Sequence, residues 1–166
     1  MTKRMALSAL LVALAFVFGY IEFLIPLPFG IPGMKLGLAN LVVLVALYVC
    51  GAPTAATVSL VRIVLGGFTF GSPFGMLYSL AGGILSFAGM ALTYRSKHFS
   101  TVGVSILGGV LHNIGQLAVA FIVLGVAGVI YYLPLLLFSG ALCGALIGVL
   151  TATVRRAIQK TGRGMQ

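Results

Sequence analysis

The chain has 166 residues, 61% apolar and 7% charged, and sets ten Lys and Arg against one acidic residue for a formal net charge of +9. A soluble domain carries roughly a quarter of its residues as charged side chains, so this composition excludes a water-compatible exterior and marks an integral membrane protein. A basic excess of this size points to nucleic acid when it forms a surface patch; here the cations flank long apolar runs, so nucleic-acid binding is excluded in favour of retention on the cytoplasmic side of a bilayer.

A helix that crosses the hydrocarbon needs about 20 residues, and six apolar segments of roughly that size follow one another at 5–24, 34–51, 53–70, 73–94, 100–124 and 127–155. The first follows Lys3 and Arg4 and contains Ala13-Leu14-Ala15, which has the outline of a signal peptide. Its hydrophobicity continues through Leu24, so an uncleaved span is predicted. Ala9 and Ala13 form a small-residue ridge on it, followed by Ala15 and Gly19. The connection 25–33 holds Pro26, Pro28 and Pro32 yet is mostly apolar. Proline stiffens it and stops helix continuation, which suits either a lid on the outer face or a connector lying in the headgroups.

The second segment opens with Lys35 and is short, so it need not cross fully. Gly51-Ala52-Pro53 makes a tight reversal into the third. The sixth carries Gly140, Gly144 and Gly148 at four-residue spacing, a seam that lets helix backbones approach in lipid, either within the bundle or against another subunit. Gly82-Gly83 and Gly108-Gly109 mark further close approaches. Six spans put both ends of the chain on one side, with Lys3, Arg4, Arg95, Lys97, Arg155, Arg156, Lys160 and Arg163; the outer connections 25–33, 70–73 and 124–128 have no Lys or Arg. That asymmetry makes the shared side cytoplasmic. The prediction is an all-α integral membrane protein, a compact bundle of six transmembrane helices forming one domain over 1–166, with both termini cytoplasmic.

Ionised groups inside apolar spans are costly and usually serve a purpose. Glu22, Lys35 and Arg62 are the three here, and Asn40, Tyr78, His112, Asn113 and Gln116 join them in placing polar groups in the outer half of five spans. Lys35 at a helix start opposes the macrodipole, so an ammonium and free backbone N–H groups converge where an anion fits. Arg62 is the better fork for a carboxylate or phosphate deeper in the bundle. The alternative is structural: Glu22 pairs with Lys35, and carbonyls, Asn40 or His112 satisfy Arg62. Two cations against one carboxylate favour a ligand with an anionic head. Phe68, Phe70, Phe74, Tyr131 and Tyr132 suit an apolar body or form the usual interfacial belt. Cys50 and Cys143 belong to no CxxC pair or Cys/His cluster, so neither a metal site nor a structural disulfide is expected.

The segment Pro32-Gly-Met-Lys-Leu-Gly-Leu-Ala-Asn40, then Arg62 with Gly66-Gly67 and Phe70-Gly-Ser-Pro-Phe-Gly75, then His112-Asn-Ile-Gly-Gln116, resembles a bacterial family, the Gx transporter family, also called heptaprenyl diphosphate synthase component I. That family is similar in turn to the substrate-binding S-components of energy-coupling factor (ECF) vitamin transporters. The resemblance implies six helices, an outer gating loop after the first helix and a cavity in the outer half. It also implies docking, through a ridge such as Ala9 and Ala13, on a transmembrane T subunit joined to two ATPases that use the ATP. This chain has no GxxxxGK[ST] loop and no nucleophile–base set. It has no aspartate and a single glutamate, whereas prenyl elongation holds Mg2+ through paired carboxylates; alone it is not predicted to be an enzyme.

The leading expectation is an S-component-like protein of the bacterial cytoplasmic membrane that captures a small anionic or amphipathic molecule from outside and binds no cofactor itself. One alternative is a non-catalytic membrane subunit in isoprenoid or quinone biosynthesis. Another is a stand-alone carrier driven through Glu22 or His112.

Overall fold

A computed structural model describes residues 2–25, 37–125 and 127–163. Lys35 and the connection from Pro26 onward lie outside the described residues, as do the side chains of Lys3, Arg4 and Arg163 on which part of the expected charge asymmetry rests. The apolar runs fold as α1 (Thr2–Leu24), α2 (Leu38–Val49), α3 (Ala52–Thr69), α4 (Pro73–Thr93), α5 (Thr101–Leu124) and α6 (Leu133–Arg163). No strand occurs among the described residues. Five of the helices are long and apolar enough to cross a bilayer, and the chain is a multi-pass membrane protein.

Helix boundaries follow local chemistry. Ser72 and Ser100 cap α4 and α5 by accepting from the N–H groups of Gly75 and Gly103, each at 3.0 Å, which satisfies donors that the first turn leaves free. Pro53 and Pro73 sit in the first turns of α3 and α4, where their missing N–H costs nothing. Gly51, at φ +90°, makes the predicted reversal between α2 and α3. The sixth span departs from expectation: Ala127–Tyr132 is a 3-10 segment and the α-helix begins only at Leu133. Pro134 is the reason, since its ring would clash with the carbonyl of residue 130 in a continuous helix but is tolerated in a first turn.

α2 is the short span foreseen, 12 residues and so about 18 Å long, against a hydrocarbon core of about 30 Å. It is also the most interior helix. Ala39, Val42, Val43, Leu44, Ala46 and Leu47 are all buried, and the apolar core extends from them to Leu11 and Ala15 of α1, Val58 of α3, Met90 of α4, Val104 of α5 and Ile147 of α6.

The distribution of polarity is inverted relative to a soluble protein. Leu92 is 84% exposed and Ile122 78%, while Ser86, Ser105, Gln116 and Thr151 are buried. Lipid accounts for the apolar exterior. Backbone-to-backbone packing brings α4, α5 and α6 together. A Cβ added at Gly109 would lie 2.2 Å from the carbonyl oxygen of Gly140, one at Gly144 2.7 Å from that of Ser105, and one at Gly115 2.7 Å from that of Ala81. The glycine seam of α6 is therefore filled by α5 within the chain. On α1 the small residues divide between two faces: Ala15 is buried and Gly19 faces Phe70, whereas Ala9 and Ala13 are exposed.

Candidate ligand-binding site

Arg62 lies in the body of α3, seven residues before its end at Thr69. Its Nη2 donates to Asn40 Oδ1 in the first turn of α2 at 2.6 Å, and its buried Nε has no hydrogen-bond partner among the described residues. Glu22, in the last turn of α1, lies near enough for its charge to act on Arg62. The carboxylate itself reaches the start of α2: Oε1 accepts from the N–H of Gly37, and Oε2 from that of Ala39 at 3.4 Å. Gly37 takes a left-handed backbone, φ +80°, and a Cβ there would press within 2.9 Å of Ile147 on α6. Glycine thus allows the α2 start to sit between α1 and α6.

Two cavities meet at these residues. One, of about 50 Å³, runs between α2, α3, α4, α5 and α6 and is bordered by Asn40, Arg62, Ser86, Ser105, His112 and Asn113 among others. A water needs roughly 10–15 Å³ of such volume, so there is room for a few water-sized groups. The other, of about 90 Å³, lies between α1, α3 and α4 against Phe16, Phe23, Ile63, Phe70 and Met76. Glu22, Arg62 and Ser79 border both. A polar chamber and an aromatic chamber therefore share one wall, which carries the charges.

The sequence-predicted set is partly gathered here. Glu22, Asn40, Arg62, His112 and Asn113 border the polar chamber. Asn113 is also structural: its Nδ2 donates to the carbonyl of Leu136 at 2.6 Å and tethers α5 to α6. Gln116, one turn from His112, packs on α4 beside Gly82, and its Nε2 has no partner among the described residues. Tyr78 borders neither chamber; its neighbour Ser79 borders both. Of the predicted aromatics, Phe70 alone enters a chamber, where its ring centroid lies 5.4 Å from that of Phe16, 5.5 Å from Tyr20 and 5.4 Å from Phe23. Phe68, Phe74, Tyr131 and Tyr132 are exposed, in the manner of an interfacial belt.

Ser79, Ser86 and Ser105 were not among the predicted set. The signal for the first two is their seven-residue spacing, which puts two hydroxyls on one face of α4. Ser86 Oγ is buried without a partner among the described residues. Cys143 of α6 also borders the polar chamber. No group of three metal-ligating side chains occurs among the described residues.

The sequence matches the family model of heptaprenyl diphosphate synthase component I over residues 11–154. The chain belongs to that family. No curated protein matches it. A solved structure reported under the words "Structure and mechanism of the S component of a bacterial ECF transporter" is similar to this family member at a TM-score of 0.74, covering 96% of this chain and 97% of that one at 21% identity. At that identity the likeness is one of fold, an S-component bundle of membrane helices. In this family member the two chambers lie within the bundle, with Arg62 on the wall between them.

Proposed function

We propose that this protein is the substrate-binding component of a membrane transport system, of the S-component kind, in the bacterial cytoplasmic membrane. It captures a small anionic or amphipathic molecule from the outer side for uptake. The observation that carries this reading is Arg62: a guanidinium inside a membrane span, on the wall of two cavities, donating to a neutral amide and keeping Nε without a partner among the described residues. A buried charge of this kind needs something negative. Glu22 moderates it from α1 but is itself held by backbone N–H groups. The anionic head of a ligand fits beside Arg62 and Asn40, and an apolar or ring-bearing body fits the Phe16–Phe23–Phe70 chamber.

Energy then has to come from partners. The exposed Ala9 and Ala13 on α1 offer a ridge for a T subunit that joins two ATPases, and ATP would be used there rather than by this chain. The family name favours a second reading, a non-catalytic membrane subunit beside a soluble prenyltransferase. One glutamate and no aspartate leave this chain short of the carboxylates that hold Mg2+ in that chemistry, so in either reading it is not the enzyme.

The test is native mass spectrometry of protein taken from its own membrane. The transport reading expects a retained small molecule in the wild type and its loss from Arg62→Ala, with helical content unchanged. If a soluble prenyltransferase co-purifies equally with both proteins and neither retains a small molecule, the subunit reading replaces it.

A further inference from the structure

Glu22 is the single acidic residue of the chain, and its position is unfavourable by itself. It lies in the last turn of α1, where the negative end of that helix's own dipole repels a carboxylate. It is stabilised instead by the first N–H groups of α2, from Gly37 and Ala39, and by the nearby charge of Arg62. A helix start facing a guanidinium is a general arrangement for holding an anion. Here the anion is supplied by the protein.

A second, independent feature points to a ligand in the same chamber. Ser86 is 2% exposed, its Oγ has no hydrogen-bond partner among the described residues, and it borders the chamber that Glu22, Asn40 and Arg62 also border. A buried hydroxyl left unpaired is costly, and a polar head filling the chamber would satisfy it.

We infer that Glu22 is a displaceable internal anion: its carboxylate holds the start of α2 beside Arg62, and the anionic oxygens of a ligand bind by taking its place there. This rests on the proposed capture of an anionic molecule and adds how the site is regulated. Glu22 lowers the affinity for anions and excludes weak ones, so that release is not blocked by an unopposed buried cation. Binding also removes the carboxylate link between the end of α1 and the start of α2, while the apolar contacts of Leu11 and Ala15 keep the two helices packed.

The probe is para-fluorobenzoate, whose carboxylate suits the α2 start and whose ring suits the Phe70 chamber, with neutral para-fluorobenzamide as control. Dissociation constants are read by fluorine NMR at fixed ionic strength on full-length protein in dodecyl maltoside, with circular dichroism on every variant. Glu22→Gln keeps an acceptor for the Gly37 N–H, removes the charge and gives up the longer contact with the Ala39 N–H. It is expected to bind para-fluorobenzoate about fivefold or more tighter than wild type, with para-fluorobenzamide unchanged. Glu22→Ala is expected to move the same way, and Arg62→Gln to lose the preference for the carboxylate.

If Glu22→Gln binds the carboxylate no better than wild type while Arg62→Gln still abolishes the preference, the internal-anion role fails and the transport reading survives. If wild type and both Glu22 variants bind benzoate and benzamide alike, the anion-binding reading fails with it.

Discussion

Asn40 decides what Arg62 is available for. Its Oδ1 orients the guanidinium without neutralising it, and a hydrogen bond to a charged group contributes about 1.5–3 kcal/mol. Asn40→Ala is therefore expected to weaken para-fluorobenzoate binding about tenfold or more. Asn40→Asp separates orientation from charge: it retains the contact but forms an ion pair, so the carboxylate preference is lost while the melting temperature in detergent holds or rises. Cys143 gives an independent reading of the same chamber. In a Cys50→Ser background, alkylation of Cys143 by N-ethylmaleimide, followed by intact mass, is expected to slow in saturating para-fluorobenzoate. Adding Arg62→Gln removes that protection. Unchanged rates would place the ligand elsewhere.

Among the helices, the contrast is between glycines that touch backbone and glycines that do not. Gly109 faces the Gly140 carbonyl, which cannot yield; Gly108 faces Met90 Sδ, the far end of a flexible side chain; and Gly103 has nothing nearer than 3.5 Å. Gly109→Ala is expected to destabilise the α5–α6 pair by about 1–3 kcal/mol or more. Gly108→Ala costs less, and Gly103→Ala is neutral or stabilising by up to about 1 kcal/mol, because Ala is the better helix former. Thermal unfolding in detergent orders the three, and a reversed order would refute the packing account. The same scale explains α2. A 12-residue helix too short to span is tolerated because its neighbours, not lipid, surround it. At the end of the bundle where α5 begins, Arg155 fastens this arrangement, lying 4.1 Å from the ring centroid of Tyr48 and donating to Thr101 Oγ1 at 2.7 Å.

For the molecule as a whole, orientation follows from charge. On the positive-inside pattern the Arg95–His98 turn is expected in the cytoplasm and the end of α3 outside. In a background lacking Cys50 and Cys143, Ser96→Cys is expected to react with an impermeant maleimide only in inverted vesicles, and Thr69→Cys, at an exposed position, only in intact cells. The opposite pattern would invert the bundle and turn the proposed capture toward the cytoplasm.

Composition and apolar run length by themselves determined the membrane, the helices and most of their ends, because a span must bury its backbone polar groups over a fixed thickness. Gly51, the α6 glycine seam and Arg62 were equally legible, since each is an exception within its run. Rotation about each helix axis was not. A helix apolar all round has no stripe to aim it, so packing alone decided that Ser79 rather than Tyr78 reaches the chambers and that Ala15 turns inward while Ala13 turns out. The contacts of Glu22 with Gly37 and Ala39 were illegible for a related reason: they are made to backbone N–H groups, which every residue but proline possesses, and only the approach of α1 to the start of α2 selects those two.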